Sequence, residues 1–75
     1  MILPTKHISL EHSLLGAGAV ILEALDSPRS TSALWDRVRS RKEVGVYWRF
    51  VLALDFLFAL GAIGIADGIL KRANG

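Results

Sequence analysis

The stretch from Trp48 to Gly64, WRFVLALDFLFALGAIG, constrains the fold more than any other part of this chain. It is more apolar than an ordinary surface helix, yet Arg49 and Asp55 interrupt it. A helical projection at about 100° per residue predicts one apolar face that enters a core, formed by Tyr47, Phe50, Val51, Leu54, Leu57 and Phe58. The opposite side is also largely apolar and carries Trp48, Leu52, Phe56 and Ala59. A small domain cannot cover both sides of one helix with its own atoms, so the second side predicts contact with lipid or with a partner protein.

The charges in this segment favour a protein over lipid. The apolar runs 14–22 and 56–66, neither of which contains a charged residue, are shorter than the roughly 20 apolar residues that cross a bilayer. An extension of the second run back to Val44 would bury Arg49 and Asp55, at a cost of about 2.5–3.5 kcal/mol each. A small membrane protein is therefore the least favoured function.

Length and composition also point to an interface. The 75 residues suffice for one small domain, and 52% of them are hydrophobic. Because a small domain has a large surface for its volume, this content predicts apolar surface that another molecule covers. The net charge of +2 neither demands nor excludes a nucleic-acid partner. The chain contains no cysteine and its N-terminus does not resemble a secretory signal, so we expect a cytoplasmic protein.

The apolar pattern predicts a single domain that is mainly α with a small β-hairpin, similar to a winged helix-turn-helix. An extended arm, three helices and a hairpin are expected at residues 1–8, 9–25, 31–41, 46–60 and 62–72. Ile2 and Leu3 favour an extended arm, Pro4 excludes a central position in a sheet, and this arm could supply a third strand. Asp67-Gly68 is a tight-turn signal for the hairpin.

Capping residues set the expected helix ends. Ser9 is the predicted N-cap of the first helix, and either Ser30 or Thr31 caps the second. Gly61 is the predicted C-terminal stop of the third helix. Small residues in the first helix at Gly16, Ala19 and Val20 predict close approach of another backbone on that side.

The predicted order of elements makes a DNA-binding winged-helix regulator the main alternative function. Its third helix would need side chains that reach base edges. Between residues 46 and 60, however, Arg49 is the only basic residue, and Asn, Gln, Ser and Thr are absent. Possible phosphate contacts precede this helix, at Arg37, Arg39, Arg41 and Lys42. Because Asp36 and Glu43 are interleaved with them, solvated charges are the simpler interpretation.

No pattern in the chain indicates catalysis. His7 and His12 lack a third metal ligand nearby, and the serines lack a His–acid relay at a recognisable spacing. The GAG at residues 16–18 lacks the preceding strand and the lysine of a phosphate loop. We therefore expect a protein that is not an enzyme and holds no metal or cofactor. Asp55 stays open: it either points to solvent, or it forms a salt bridge or a contact with a helix terminus across a partner interface.

Four strings occur in series along the chain: MILPTKHI at the N-terminus, SLLGAGAVIL, the ALW of residues 33–35, and FVLALDFLFALGAI at residues 50–63. Together they resemble the shortest class of middle components of the prokaryotic ABC-three-component systems. Such systems, including Lamassu-type antiphage defence, pair an SMC/Rad50-like ABC ATPase with an effector, often a nuclease, and a small middle protein. The resemblance implies a non-catalytic adaptor that holds ATPase and effector together. Separately, we expect this chain to meet DNA only through the complex. Lys6, His7, Asp55 and residues 57–62 match the family motif.

The predicted partner contacts lie in two regions. The N-terminal arm contributes Ile2, Leu3, Lys6 and His7, and the third helix contributes Trp48, Leu52, Asp55, Phe56 and Ala59.

Overall fold

A computed structural model describes the backbone of residues 4–73 and the side chains of residues 13–73. Its elements, in chain order, are α1 (Pro4–Ala24), β1 (Arg29–Ser30), α2 (Thr31–Val38), α3 (Tyr47–Ala59), β2 (Ile63–Ala66) and β3 (Ile69–Arg72). The strands form one antiparallel sheet in the order β1-β3-β2. Three helices beside such a sheet make a winged-helix-like fold, as the sequence predicts.

The first helix begins earlier than expected. Because α1 starts at Pro4, residues 4–8 are helical, and the prediction of an extended arm is wrong there. Proline suits the first position of a helix, since its φ angle is already helical and its missing N–H would have no partner in the helix. Ser9 therefore lies inside α1 and is not its N-cap. Residues 1–3 of the expected arm lie outside the described residues.

The third strand comes from the connection between α1 and α2 instead of the arm. In β1, Arg29 pairs with Leu70 and Ser30 pairs with Ile69 of β3. Ser30 also caps α2, because its Oγ accepts a hydrogen bond from the backbone N–H of Ala33 at 3.1 Å. Of the two predicted caps, Ser30 is the one used. A two-residue strand leaves no periodic signal, and only its pairing with β3 defines it.

The second helix is shorter than predicted, since it ends at Val38 instead of residue 41. Turns follow, with the backbone N–H groups of Val44 and Gly45 both donating to the carbonyl of Arg41, at 3.1 and 2.9 Å. These turns place Val44 in the core, fully buried. Val44 is not among the core residues that the sequence pattern predicts.

Two turn predictions are confirmed by the backbone geometry. Asp67 and Gly68 both have positive φ, 55° and 76°, as a type I′ turn between β2 and β3 requires. At the end of α3, Gly61 has a φ of 75°. Its N–H donates to the carbonyl of Phe58 at 3.0 Å, and the N–H of Ala62 donates to that of Leu57 at 2.9 Å. This paired arrangement is a Schellman motif, and it turns the chain from α3 into β2.

One core holds the helices and the sheet together. Its largest fully buried side chains are Phe50, Ile21, Leu34, Leu70, Val38 and Val44. The helices α1 and α3 pack closely at Gly18, where an added Cβ would lie 3.3 Å from Cδ2 of Leu57. Of the three small residues on the other side of α1, Val20 is buried in the core, Ala19 is exposed, and a Cβ on Gly16 would meet only the Glu43 side chain, at 3.8 Å.

Candidate partner-binding surface

The third helix buries a narrower side than the helical projection predicts. Only Phe50, Ala53, Leu54 and Leu57 are buried. Three residues assigned to the core face are exposed instead, namely Tyr47, Val51 and Phe58. The reason is the small number of elements in the domain, because α3 packs mainly against α1 and α2 adds only the contacts of the Trp35 ring with Tyr47 and Phe50. The exposed apolar surface is therefore larger than the sequence indicated.

The solvent side of α3 forms a continuous apolar surface with one charge. We call it the outer face, and it consists of Trp48, Val51, Leu52, Asp55, Phe58 and Ala59, all of them exposed. Trp48 is 52% exposed and Leu52 is 41% exposed. Phe56, also predicted to contact a partner, is half-buried. A contiguous exposed apolar surface is typical of an interaction site.

Asp55 lies in the middle of the outer face. Its neighbours three and four positions away on the helix are Val51, Leu52, Phe58 and Ala59. The carboxylate is exposed, and no ion pair or hydrogen bond joins it to any residue between 13 and 73. In the isolated chain it therefore faces solvent, with apolar side chains around it.

The single basic residue of α3 is occupied within the fold. Nη1 of Arg49 donates to the carbonyl of Val44 at 3.3 Å, and the guanidinium carbon lies 5.5 Å from the centroid of a Trp48 ring. Its Nε is buried and has no hydrogen-bond partner in the described part of the chain. Arg49 thus fastens the loop before α3. In helix-turn-helix proteins the second helix of the motif contacts the base edges. In this chain that helix is α3, and its one cation is already held within the fold.

The predicted phosphate contacts cluster at the end of α2 and in the turns after it. Arg37, Arg39, Arg41 and Lys42 are all exposed. Two of them have carboxylate neighbours: Arg39 lies 3.9 Å from Asp36, while Arg41 lies 3.5 Å from Glu43 and 4.0 Å from Glu23. This surface has mixed charge, which weakens attraction for phosphate. Phosphate contact stays a prediction.

The N-terminal candidates are described only in part. Lys6 and His7 lie in the first two turns of α1, and their side chains fall outside the described residues, as do Ile2 and Leu3 entirely. Their contact with a partner stays a prediction.

Among the side chains that are described, no group of three or more His, Cys, Asp and Glu residues is arranged to hold a metal ion. In the described part of the chain, no helix has the length and apolar character needed to cross a membrane.

Some apolar residues outside the outer face are exposed, although the sequence pattern did not predict their exposure. On the hairpin, Ile65 is 55% exposed, and Ile69 is exposed beside the buried Leu70. The two-residue period of a strand could have revealed this, because Ile69 and Leu70 must point to opposite faces of the sheet. Leu15 on α1 and Leu60 after α3 are also exposed.

Comparison with known proteins identifies the family. The model of the family described as ABC-three component (ABC-3C) system Middle Component 6 matches residues 3–74. No match was found among curated proteins or among solved structures. The family model spans all the described helices and strands, including the outer face of α3. The chain therefore belongs to the Middle Component 6 family of ABC-three-component systems.

Proposed function

We propose that this protein is a non-catalytic adaptor subunit that joins an SMC/Rad50-like ABC ATPase to an effector, often a nuclease, in a cytoplasmic antiphage defence complex of the Lamassu kind. The observation that carries the proposal is the outer face of α3. Membership of the family supports the presence of further components. ATP hydrolysis and effector chemistry are assigned to those components.

The energetics of the outer face favour a protein partner. Trp48, Val51, Leu52 and Phe58 are large apolar side chains left partly in water. Complete burial of such a side chain is worth roughly 1.5–3 kcal/mol, and several of them on one helix can anchor an interface. Binding of a partner to this face would gain the free energy of burying these side chains, which the isolated chain leaves in water.

An adaptor needs a second contact region, and we assign it to the N-terminal residues. Ile2 and Leu3 would supply apolar contacts, while Lys6 and His7 would meet an acidic surface of the other component. DNA would be reached through the assembled complex, with Arg37 and Lys42 as candidates for auxiliary phosphate contacts.

Co-purification of the complete three-component system tests the role of the outer face. The ATPase carries the affinity tag, and Leu52→Glu is compared with the wild-type chain. We expect this substitution to remove the chain from the complex, because it places a charge in the apolar surface. Leu52 is preferred over Phe56 for the test, since Phe56 is half-buried and its replacement would also disturb the fold.

Leu15→Glu is the matched control. It makes the same change at a more exposed helical position, outside the outer face. We expect Leu15→Glu to assemble normally and both variants to keep the helical circular dichroism of the wild type. Undiminished co-purification of Leu52→Glu would refute the assignment of this face.

The winged-helix-like fold by itself favours a second candidate, a DNA-binding regulator. Fluorescence anisotropy of the isolated chain with duplex DNA at two salt concentrations separates the two functions. We expect only weak binding that is lost at higher salt, as for nonspecific phosphate contact. Tight sequence-dependent binding by the chain alone would favour the regulator.

A further inference from the structure

We infer that the protein covering the outer face of α3 presents an Arg or Lys side chain that pairs with Asp55, and that this protein is not a second copy of the chain related by a two-fold axis. This inference rests on the proposed function, and it specifies the chemistry of the partner at the same surface.

The position of the Asp55 carboxylate requires a polar group on the partner. Asp55 is surrounded on α3 by exposed apolar side chains, with Val51 and Leu52 one turn before it and Phe58 and Ala59 one turn after it. A partner that covers these neighbours also removes water from Asp55. A carboxylate without water is strongly disfavoured unless a cation or hydrogen-bond donors replace that water. The partner must therefore supply such a group at the centre of its contact surface.

The same carboxylate disfavours a symmetric dimer through the outer face. In a two-fold interface the same surface occurs on both sides, so a central residue lies close to its own copy. Two Asp55 carboxylates would then face each other with little water between them, which is repulsive. The nearest cation on the helix does not resolve this, because Arg49 is held by the Val44 carbonyl and the Trp48 ring. The outer face is complementary to an apolar surface with a basic centre, and it is not complementary to itself.

The test uses the assembled complex and the substitutions Asp55→Asn and Asp55→Lys. The measured quantity is the Kd between this chain and the complex of ATPase and effector, determined at low and high salt. We expect Asp55→Asn to weaken binding by about tenfold or more, because it leaves the partner's cation buried without a counter-charge. Asp55→Lys is expected to weaken it further. A Glu substitution of the paired basic residue in the partner should restore binding of Asp55→Lys.

Asp67→Asn is the matched control, since it removes the same charge at an exposed turn of the hairpin. Asparagine tolerates the positive φ of that position. We expect binding by Asp67→Asn to equal that of the wild type at both salt concentrations, whereas Asp55→Asn should lose most of the salt dependence.

Two outcomes would overturn the inference. If Asp55→Asn binds the complex as tightly as the wild type, no buried Arg or Lys of the partner pairs with Asp55. If Asp55→Asn instead increases self-association of the isolated chain in sedimentation equilibrium, the occupant is a second copy. Loss of assembly in Leu52→Glu together with no effect of Asp55→Asn would refute only this inference. Failure of the wild-type chain to assemble with the other components would refute the proposed function as well.

Discussion

The guanidinium of Arg72 donates two hydrogen bonds to the carbonyl oxygen of Leu22, fifty residues earlier in the chain, from Nε at 3.0 Å and from Nη2 at 2.8 Å. Close by, Nε of Arg29 donates to the carbonyl of Ala24 at 2.8 Å. Both acceptors lie in the last turn of α1, where carbonyl groups lack the regular donor four residues later in the helix and the helix dipole favours cations. The sheet is thus fastened to the end of α1 by two arginines, one from β1 and one from β3.

We expect Arg72→Met to lower the free energy of unfolding by about 1 kcal/mol, because methionine keeps an apolar side chain but donates no hydrogen bond to Leu22. Urea unfolding followed by circular dichroism measures the change. The control is Lys71→Met at the neighbouring exposed position, for which a change within about 0.5 kcal/mol is expected. Equal effects of the two substitutions would show that the Arg72 contact adds nothing to stability.

The close approach of α1 to α3 gives a second prediction. An added Cβ at Gly18 would lie 3.3 Å from Leu57 Cδ2, so Gly18→Val should push the helices apart and destabilise the fold by roughly 1–3 kcal/mol. At Gly16, only the flexible Glu43 side chain is near. Gly16→Val should therefore change stability by less than about 0.5 kcal/mol. Similar thermal unfolding of both variants would contradict the close packing at Gly18.

Stability should also depend on pH through Asp26. The side chain of Arg29 donates to its carboxylate at 2.7 Å and holds the pKa of Asp26 below its usual 3.8. A lowered pKa in the folded state means that the carboxylate stabilises the fold above pH 3.8, and that this contribution is lost as the pH falls through the folded value. We expect Asp26→Asn to be less stable than the wild type at pH 7 and equally stable in strong acid. Urea midpoints over a pH series test this, and a difference that does not change with pH would refute it.

Local signals in the sequence correctly predict those parts of the fold that short segments determine. Ser30 caps α2, Gly61 ends α3, and Asp67-Gly68 forms the hairpin turn, because each depends on a few residues and their backbone angles. The start of α1 was missed for a related reason. Pro4 is compatible with both an extended segment and the first position of a helix, and the local sequence does not decide between them.

Features that depend on distant residues were not predictable in this way. The strand β1 exists only because Arg29 and Ser30 pair with β3, and Val44 is buried only because the turns after α2 fold back. The outer face was anticipated in part, since the projection identified its apolar character. Its width was underestimated at Val51 and Phe58, because the number of neighbouring elements determines how much of α3 is covered.

Substitutions of the two tryptophans should distinguish a residue that stabilises the fold from a residue that binds the partner. Trp35 is half-buried, and its ring centroid lies 5.1 Å from those of both Tyr47 and Phe50. Trp48 is 52% exposed on the outer face and contacts Arg49. We expect Trp35→Ala to lower the free energy of unfolding by about 2–4 kcal/mol.

Trp48→Ala should change the free energy of unfolding by less than about 1 kcal/mol, since it loses only the contact with Arg49. The same substitution should weaken binding to the other components by about 2 kcal/mol or more, because an exposed tryptophan in an apolar surface is a typical binding anchor. Urea unfolding of the chain and co-purification of the complex measure the two effects separately. If Trp48→Ala unfolds the chain while leaving assembly of the folded fraction unchanged, the outer face serves the fold of the chain and not its partner.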